Sequence, residues 1–415
     1  MKFCVLTLGC KANQAESSYI ENLFVRNFHD KVTLDERPDI CIINTCSVTA
    51  KSDYQSRQLI RRALKSGARV FATGCYSELN SKEIRSIGID VEIIKNSQKI
   101  LYFLEQSGLI TEIPPRVTTS DRSRAFIKIQ DGCNSSCSYC LIPQARGASR
   151  SVPQEHIIRE SVGLEEDGFT EIVITGIHIG YYGVDLSPKL SLAGLIEAIL
   201  KSTSTVRLRL TSLEATEIDE GIISLMPDER MCNHVHVPLQ SGHDDILKAM
   251  NRPYDTNLYR ATIGKLHGAV ENLSIGSDVI VGFPGERDGH FLETLEFLTE
   301  LPLSYLHVFP FSPRPNTRAC TMAGQVEENV KKQRVLTLRN LSAIKKQKYM
   351  ESQSGRVLEA VVEKVEGRRR FGTTGNYLKI AFNFDGAAAL KKSLIKLIVT
   401  GYTESYLLGK PISGR

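Results

Sequence analysis

The stretch DGCNSSCSYC, residues 131–140, places Cys133, Cys137 and Cys140 in one short loop directly after the strand-like run RAFIKIQ, residues 124–130. A structural zinc site closes with four ligands, usually supplied as two separated pairs. Here one loop supplies three thiols, and the nearest histidine is His156. A four-iron, four-sulfur cluster normally takes four thiolates, so three would leave one iron open to bind a further molecule. At this point structural zinc and an open cluster both stand.

Outward from the loop, a βα series runs from about Arg124 to Ser312. Its strands are RAFIKIQ, EIVITG, VRLRLTS, HVHVPLQ, SIGSDVIVGFP and YLHVFPF, separated by helical stretches such as PQEHIIRESVGLEEDG and LSLAGLIEAILKS. Six units predict an open or partial barrel rather than a closed eight-stranded one. In such folds the chemistry collects at the carboxyl ends of the strands, which is where the loop lies.

The first hundred residues alternate in the same way, KFCVLTLG, DICIINT and ARVFATG each being followed by a helical stretch, the pattern of a parallel sheet with crossover helices. A cysteine stands at the end of each strand: Cys10, Cys46 and Cys75. Strand carboxyl ends form the crevice of an open α/β sheet, so these three are expected to converge on a metal or cluster site. Cys4 and Cys41 sit mid-strand and are expected in the core.

From Gln353 the texture changes to short β-type runs divided by Gly, Asn and Asp, predicting a small antiparallel β-barrel. Residues 353–415 hold eleven Lys or Arg against five Asp or Glu, so the whole positive excess of a chain with net charge +5 lies in this tail. Arg368, Arg369 and Arg370, interleaved with Phe371, Tyr377 and Phe382, predict an RNA-binding surface, because phosphates attract cations and unstacked bases attract aromatic faces.

A chain of 415 residues predicts two or three domains. Ten cysteines with no secretory leader point to a reducing cytoplasm, and no apolar run is long enough to span a membrane.

C-x3-C-x2-C after the first strand of a βα barrel resembles the signature of the radical S-adenosylmethionine superfamily. The likeness is closer still to the methylthiotransferase family, over essentially the whole chain. It is carried by TLGCKANQAES, INTCSVT and ATGCYSE, by DGCNSSCSYCLIPQARGASRS, HVHVPLQSGHDDILKAMNRPY, SDVIVGFPGE and FPFSPRPNTRA, and by a tail similar to the RNA-binding, OB-like TRAM domain. LGCK-x-NQ and ITGIHIG look most like the MtaB type, which acts on N6-threonylcarbamoyladenosine beside the anticodon of tRNA. Asn316 stands where PRPGT usually has glycine.

The resemblance implies an N-terminal methylthiotransferase domain over 1–115, a radical S-adenosylmethionine core over 120–350 and a TRAM domain over 353–415. It implies two [4Fe-4S] clusters, one on Cys10, Cys46 and Cys75 and a catalytic one on Cys133, Cys137 and Cys140, the latter binding S-adenosylmethionine and splitting it to a 5′-deoxyadenosyl radical. The expected product is the 2-methylthio nucleoside in tRNA, with an electron donor such as flavodoxin or ferredoxin and a sulfur source as further partners. The alternatives are a methylthiotransferase acting on another tRNA adenosine or on a ribosomal protein, and a non-catalytic zinc-containing RNA-binding protein.

Gly176 ends the second barrel strand and offers close backbone approach to the methionyl group, or else a turn. Ser212, Glu214 and Gln240 lie at later strand ends, as hydrogen-bonding partners of the nucleoside or as caps. Arg146 is expected either to meet the cofactor carboxylate or to brace the loop. His234 and His236 share one strand face and are expected in barrel packing. Cys232 and Cys320 lack metal-type spacing and are expected to be structural.

Overall fold

The computed structural model describes residues 1–107, 122–384 and 391–412. The boundary expected between 115 and 120 falls outside the described residues. Three units are present: an N-terminal parallel sheet, a central half-barrel and a C-terminal closed barrel.

The N-terminal sheet contains β1 (Lys2–Thr7), β2 (Asp30–Lys31), β3 (Ile40–Thr45), β4 (Arg69–Gly74) and β5 (Glu92–Ile93), in the order β2-β1-β3-β4-β5. All four pairings are parallel. Three helices follow the central strands: α1 (Lys11–Arg26), α2 (Ala50–Lys65) and α3 (Cys75–Leu79). α1 presents Ile20, Leu23 and Phe24, all fully buried, at the three-to-four spacing that covers one face of the sheet. α2 begins at Thr49, whose hydroxyl accepts from the Ser52 amide at 3.2 Å. Cys4 and Cys41 are register partners within the sheet and are buried.

The central strands are β6 (Ala125–Lys128), a small ribbon of β7 (Gln130–Asp131) and β8 (Arg150–Ser151), then β9 (Glu171–Thr175), β10 (Arg207–Leu210), β11 (His234–His236), β12 (Ser274–Val281) and β13 (Tyr305–Pro310). β6, β9 and β10 form one parallel sheet and β11, β12 and β13 another, joined by bridges Leu208–Met231 and Ser212–His236. β6 and β13 are thus the two edges of an open half-barrel.

Period-two alternation divides its two faces. Ile127, Ile129, Ile172, Ile174, Leu208, Leu210, Val235 and Val237 point outward into one core with the surrounding helices and are at most 1% exposed. Burying each such side chain is worth about 1.5–3 kcal/mol. The intervening positions, among them Lys128, Glu171, Arg207, Arg209, His234, His236, Asp278, Tyr305 and His307, meet across the inner face and make a polar lumen.

The C-terminal strands β14 (Val357–Glu366), β15 (Arg369–Thr374), β16 (Lys379–Asn383), β17 (Leu394–Tyr402) and β18 (Leu407–Pro411) close into a barrel in the order β14-β15-β16-β18-β17. Every pairing is antiparallel except β16–β18, which is parallel and completes the ring. Its core includes Val362, Ile380, Phe382 and Leu397.

Candidate functional site

Two cysteine triads and the polar lumen of the half-barrel make up the site. In the central loop, Gly132 has φ +75°, and a Cβ there would lie 2.0 Å from the Ala148 carbonyl oxygen, so only glycine fits. The loop neck is held by Cys133 N–H donating to Gly147 at 3.1 Å and by the β7–β8 ribbon. Each sulfur has an N–H neighbour. Ser135 N–H donates to Cys133 at 3.4 Å, Ile142 N–H to Cys140 at 3.4 Å, and Arg252 Nη1 to Cys137 at 3.1 Å. Such contacts stabilise negative charge on sulfur, as a thiolate-bound cluster requires.

Burial raises the Cys133 thiol, but hydrogen bonds from His178 and Ser135 outweigh it and bring it below its ordinary range. Cys140, more enclosed, is pushed up to about 12 by burial. A cavity of about 530 Å³ opens beside the three cysteines, walled also by Gln144 and by Asn316, Thr317 and Arg318. Asn316 has φ +68°, the left-handed conformation that asparagine tolerates better than most residues, so the loop keeps a shape suited to glycine. Its carbonyl accepts from Gln144 Nε2 at 3.0 Å.

The second triad lies at the level ends of three adjacent strands: Cys10 after β1, Cys46 after β3, and Cys75 opening α3 after β4. Cys10 is exposed, Cys46 and Cys75 are buried. Gly9 (φ +91°) allows the approach, since a Cβ there would lie 2.6 Å from Cys46 Sγ. Burial raises the Cys46 and Cys75 thiols, and negative charge on Cys10 raises both further, so the three sulfurs act on one another.

Tetrahedral ligation of one zinc would bring thiolates about 3.8 Å apart. Among the described residues, the groups whose ligand atoms all lie within 4.8 Å are His236, Asp278 and His307, and His243, Asp245 and His290. Neither cysteine triad meets that limit, so both are spread too widely for a single ion. Three sulfur donors with a wider spread fit a cluster.

Arg146 joins the triads. Its helix, Ile142–Arg146, follows the central loop, yet its Nε donates to Cys75 Sγ at 3.4 Å and its Nη1 to both Glu16 and Asp131 at 2.8 Å, while Nη2 reaches Asn13. These contacts are those of the bracing role. Glu16 on α1 is also paired with Lys99 and Lys128. Burial raises its carboxyl, but the three cations overcome this and hold it well below its usual range.

The other expected residues stand around the rim of the lumen. A Cβ on Gly176 would lie 2.9 Å from the Gln130 carbonyl, so this glycine lets β9 approach the neck of the loop. Ser212 is exposed on the lumen side with Oγ 2.9 Å from His236 Nδ1. Glu214 accepts from Arg252. Gln240, with φ +72°, exchanges backbone hydrogen bonds with β12. His234 and His236 do share a face, but it is the lumen face. Asp278, carried alongside by β12, lies 3.1 Å from His236 and 3.2 Å from His307. Cys232 is buried against Glu171.

His178 and Arg252 were not singled out from the sequence. His178 Nδ1 lies 3.4 Å from Cys133 Sγ and its other nitrogen meets Glu217. Burial lowers its pKa, but Cys133 and Glu217 carry it up to about 9. Both residues lie in stretches that carried the resemblance, ITGIHIG and AMNRPY, and that was the available signal.

The expected RNA face needs correction. Along β15 the side chains alternate, so Arg369 and Phe371 point out while Arg370 is buried and donates to the Gly367 carbonyl. Phe382 is 3% exposed in the barrel core. Tyr377 turns away from the tail's surface into the lumen, its ring 4.5 Å from that of His234. The outward set is Arg368, Arg369 and Phe371 with Tyr406, whose ring packs edge-on against Phe371 at 6.2 Å.

The Radical SAM superfamily model matches residues 127–298, and that of Uncharacterized protein family UPF0004 matches residues 2–95. The threonylcarbamoyladenosine tRNA methylthiotransferase MtaB of Bacillus subtilis (strain 168) is 36% identical, with 95% of this chain and 93% of that protein covered. The protein of the same name from Aquifex aeolicus is 36% identical, covering 92% and 96%. A tRNA-2-methylthio-N(6)-dimethylallyladenosine synthase from Clostridium botulinum is 29% identical, covering 91% of each. Among solved structures, the radical S-adenosylmethionine methyltransferase TsrM from Kitasatospora setae, with cobalamin and a [4Fe-4S] cluster bound, aligns with a TM-score of 0.55 over 77% of each chain at 13% identity, a likeness of fold alone. With the thiol loop on its half-barrel and the full-length relatives at 36%, the chain belongs to the MtaB family of radical S-adenosylmethionine methylthiotransferases.

Proposed function

We propose that this enzyme methylthiolates N6-threonylcarbamoyladenosine beside the anticodon of tRNA, giving the 2-methylthio derivative. The observation that carries the reading is the pair of cysteine triads, joined through Arg146. Cys133, Cys137 and Cys140 would hold the [4Fe-4S] cluster that binds S-adenosylmethionine, and Cys10, Cys46 and Cys75 a second one. When bound, the first supplies the radical that activates the adenine carbon between the ring nitrogens, and the second presents the sulfur to be methylated and transferred.

The chain's own residues bind, orient and shield. Arg252 bridges Cys137 and Glu214, fixing the loop against the end of β10. His178 is held between Cys133 and Glu217, which favours its protonated form and places a cation beside the first thiol. Ser212, Glu214 and Gln240 offer a hydroxyl, a carboxylate and an amide at the rim, where cofactor and nucleoside must both be gripped. Gly176 keeps the end of β9 close to the loop neck. Arg146 neutralises Glu16 and Asp131 and supplies a donor to Cys75, coupling the positions of the two triads.

The closed C-terminal barrel fits a TRAM domain, with Arg368 and Arg369 as phosphate contacts. Flavodoxin or ferredoxin as electron donor, and a separate sulfur source, complete the proposal. Among the described residues no helix is long and apolar enough to cross a membrane.

Nucleoside mass spectrometry on tRNA from a deletion strain tests the reading. The 2-methylthio derivative of threonylcarbamoyladenosine should disappear and return with the gene. Its persistence, with a ribosomal protein or another adenosine losing the group instead, would overturn the substrate.

A further inference from the structure

Lys11 immediately follows Cys10 and opens α1. Its ammonium lies 5.3 Å from the centre of the Tyr377 ring, which reaches the lumen from the C-terminal barrel. Arg209 and Arg124 lie over the same ring at 5.2 and 5.9 Å. Cations from two units of the fold therefore gather around an aromatic ring supplied by the third.

The anions in this region are already taken. Glu171 receives Arg209 at 2.7 Å, Arg207 at 3.0 Å and Arg124 at 3.6 Å. Arg207 and Arg124 draw further on Glu359 and Glu363 of the C-terminal barrel, at 3.4 and 2.9 Å. Glu16, the carboxylate farther along α1, is shared by Lys99, Lys128 and Arg146. Among the described residues Lys11 forms no ion pair and no hydrogen bond through its side chain. It also occupies the first turn of a helix, where the backbone dipole disfavours a cation. Local structure gives this charge an aromatic face but, among the described residues, no carboxylate at ion-pair distance.

Resting on the proposed reading of the substrate, we infer that Lys11 binds the carboxylate of the threonylcarbamoyl group and thereby selects that nucleoside over adenosines with an uncharged N6 substituent. The substituent ends in a carboxylate, the partner that Lys11 lacks. N6 and C2 lie on the same edge of adenine. A grip on the N6 substituent by the residue bonded to Cys10 turns the C2 edge toward the Cys10, Cys46 and Cys75 triad, where sulfur is to be delivered. Recognition and delivery would then share one turn of chain.

The test uses full-length, anaerobically reconstituted protein and anticodon stem-loop RNAs carrying threonylcarbamoyladenosine, its neutral carboxamide, or dimethylallyladenosine. Affinities are measured by fluorescence anisotropy, and the acid-to-amide ratio is taken within each variant so that altered cluster content does not imitate the effect. Wild-type protein should bind the acid RNA about tenfold or more tightly than the amide. Lys11→Met should bring the two together by weakening the acid RNA alone, and Lys11→Arg should restore part of the ratio. An unchanged ratio in Lys11→Met, or equal binding of acid and amide by wild type that does methylthiolate the acid RNA, would overturn the role of Lys11. Wild type that methylthiolates the dimethylallyladenosine RNA and not the acid RNA would remove the substrate reading, and the assignment with it.

Discussion

Arg146 Nε lies 3.4 Å from Cys75 Sγ, so a side chain from the half-barrel touches a thiol of the N-terminal sheet. The same guanidinium is nearly completely buried among Glu16, Asn13 and Asp131. Replacing it by methionine would leave two carboxylates short of a cation in a buried setting. The loss of stability should be about 3–5 kcal/mol, the range for breaking a buried pair from one side. Calorimetry should show a lowered Tm for Arg146→Met, with Arg146→Lys recovering part of it. Iron bound by the N-terminal triad should fall as well, since Cys75 loses its donor. Unchanged Tm and iron content would mean that the brace contributes nothing.

Glu171 gives the acid side of the stability profile. Burial raises its pKa, but Arg209, Arg207 and Arg124 bring it down to about 2, against an ordinary 4.5. A depressed carboxylate contributes stability that is present in full above about pH 4.5 and is lost as pH falls toward 2. Glu171→Gln should therefore be less stable at pH 7. Its denaturant midpoint should also change less with pH than that of the wild type between 4.5 and 2. Parallel curves for the two proteins across that interval would rule out Glu171 as the titrating group.

The half-barrel, the N-terminal sheet and the convergence of three strand-end cysteines were legible because they rest on local signals: alternation in RLRL and HVHV, and a cysteine closing each of three βα turns. Alternation also encodes the lumen. The polar positions of those strands face a lumen, so a strand with both faces covered still reads as amphipathic. What could not be read were contacts between distant segments. Asp278 meets His236 only because β12 lies beside β11, and Glu16 meets Arg146 across two units. Tyr377 sits in a tail with the composition of an RNA-binding surface. Its left-handed turn, φ +67°, sends the ring inward, and no neighbouring residue signals that direction.

That inward turn changes how the RNA surface should be tested. Removing residues after Gln353 would also strip Glu359 and Glu363 from Arg207 and Arg124, and the Thr374 and Gly375 carbonyls from Arg209, exposing buried cations of the half-barrel. Substitution on the outer face avoids this. Arg368→Gln with Arg369→Gln should weaken tRNA binding at low salt and reduce the slope of log affinity against log salt by roughly one to two, since each phosphate contact releases its counterion. Phe371→Ala should weaken binding without altering that slope, because stacking displaces no counterions. A slope unchanged in the double variant would place the phosphate contacts elsewhere.

The two triads should have separable tasks, since one is built on a single loop of the half-barrel and the other on three strand ends of the N-terminal sheet. Cys46 closes β3, whereas Cys137 is held by Arg252 of the half-barrel. Cys46→Ala should disturb iron binding at the sheet and leave Cys133, Cys137 and Cys140 with their N–H neighbours. This variant is expected to cleave S-adenosylmethionine to 5′-deoxyadenosine under strong reductant while forming no methylthio nucleoside. Cys137→Ala should lose the cleavage itself. Anaerobic turnover with tRNA, following 5′-deoxyadenosine and the modified nucleoside separately, distinguishes these outcomes, and iron analysis of each variant should show about half of the wild-type content. Wild-type methylthiolation by Cys46→Ala would remove the N-terminal triad from the reaction. Loss of both products in a variant that retains half its iron would show that the triads act as one unit, with Arg146 as the physical link through which damage at the sheet reaches the loop.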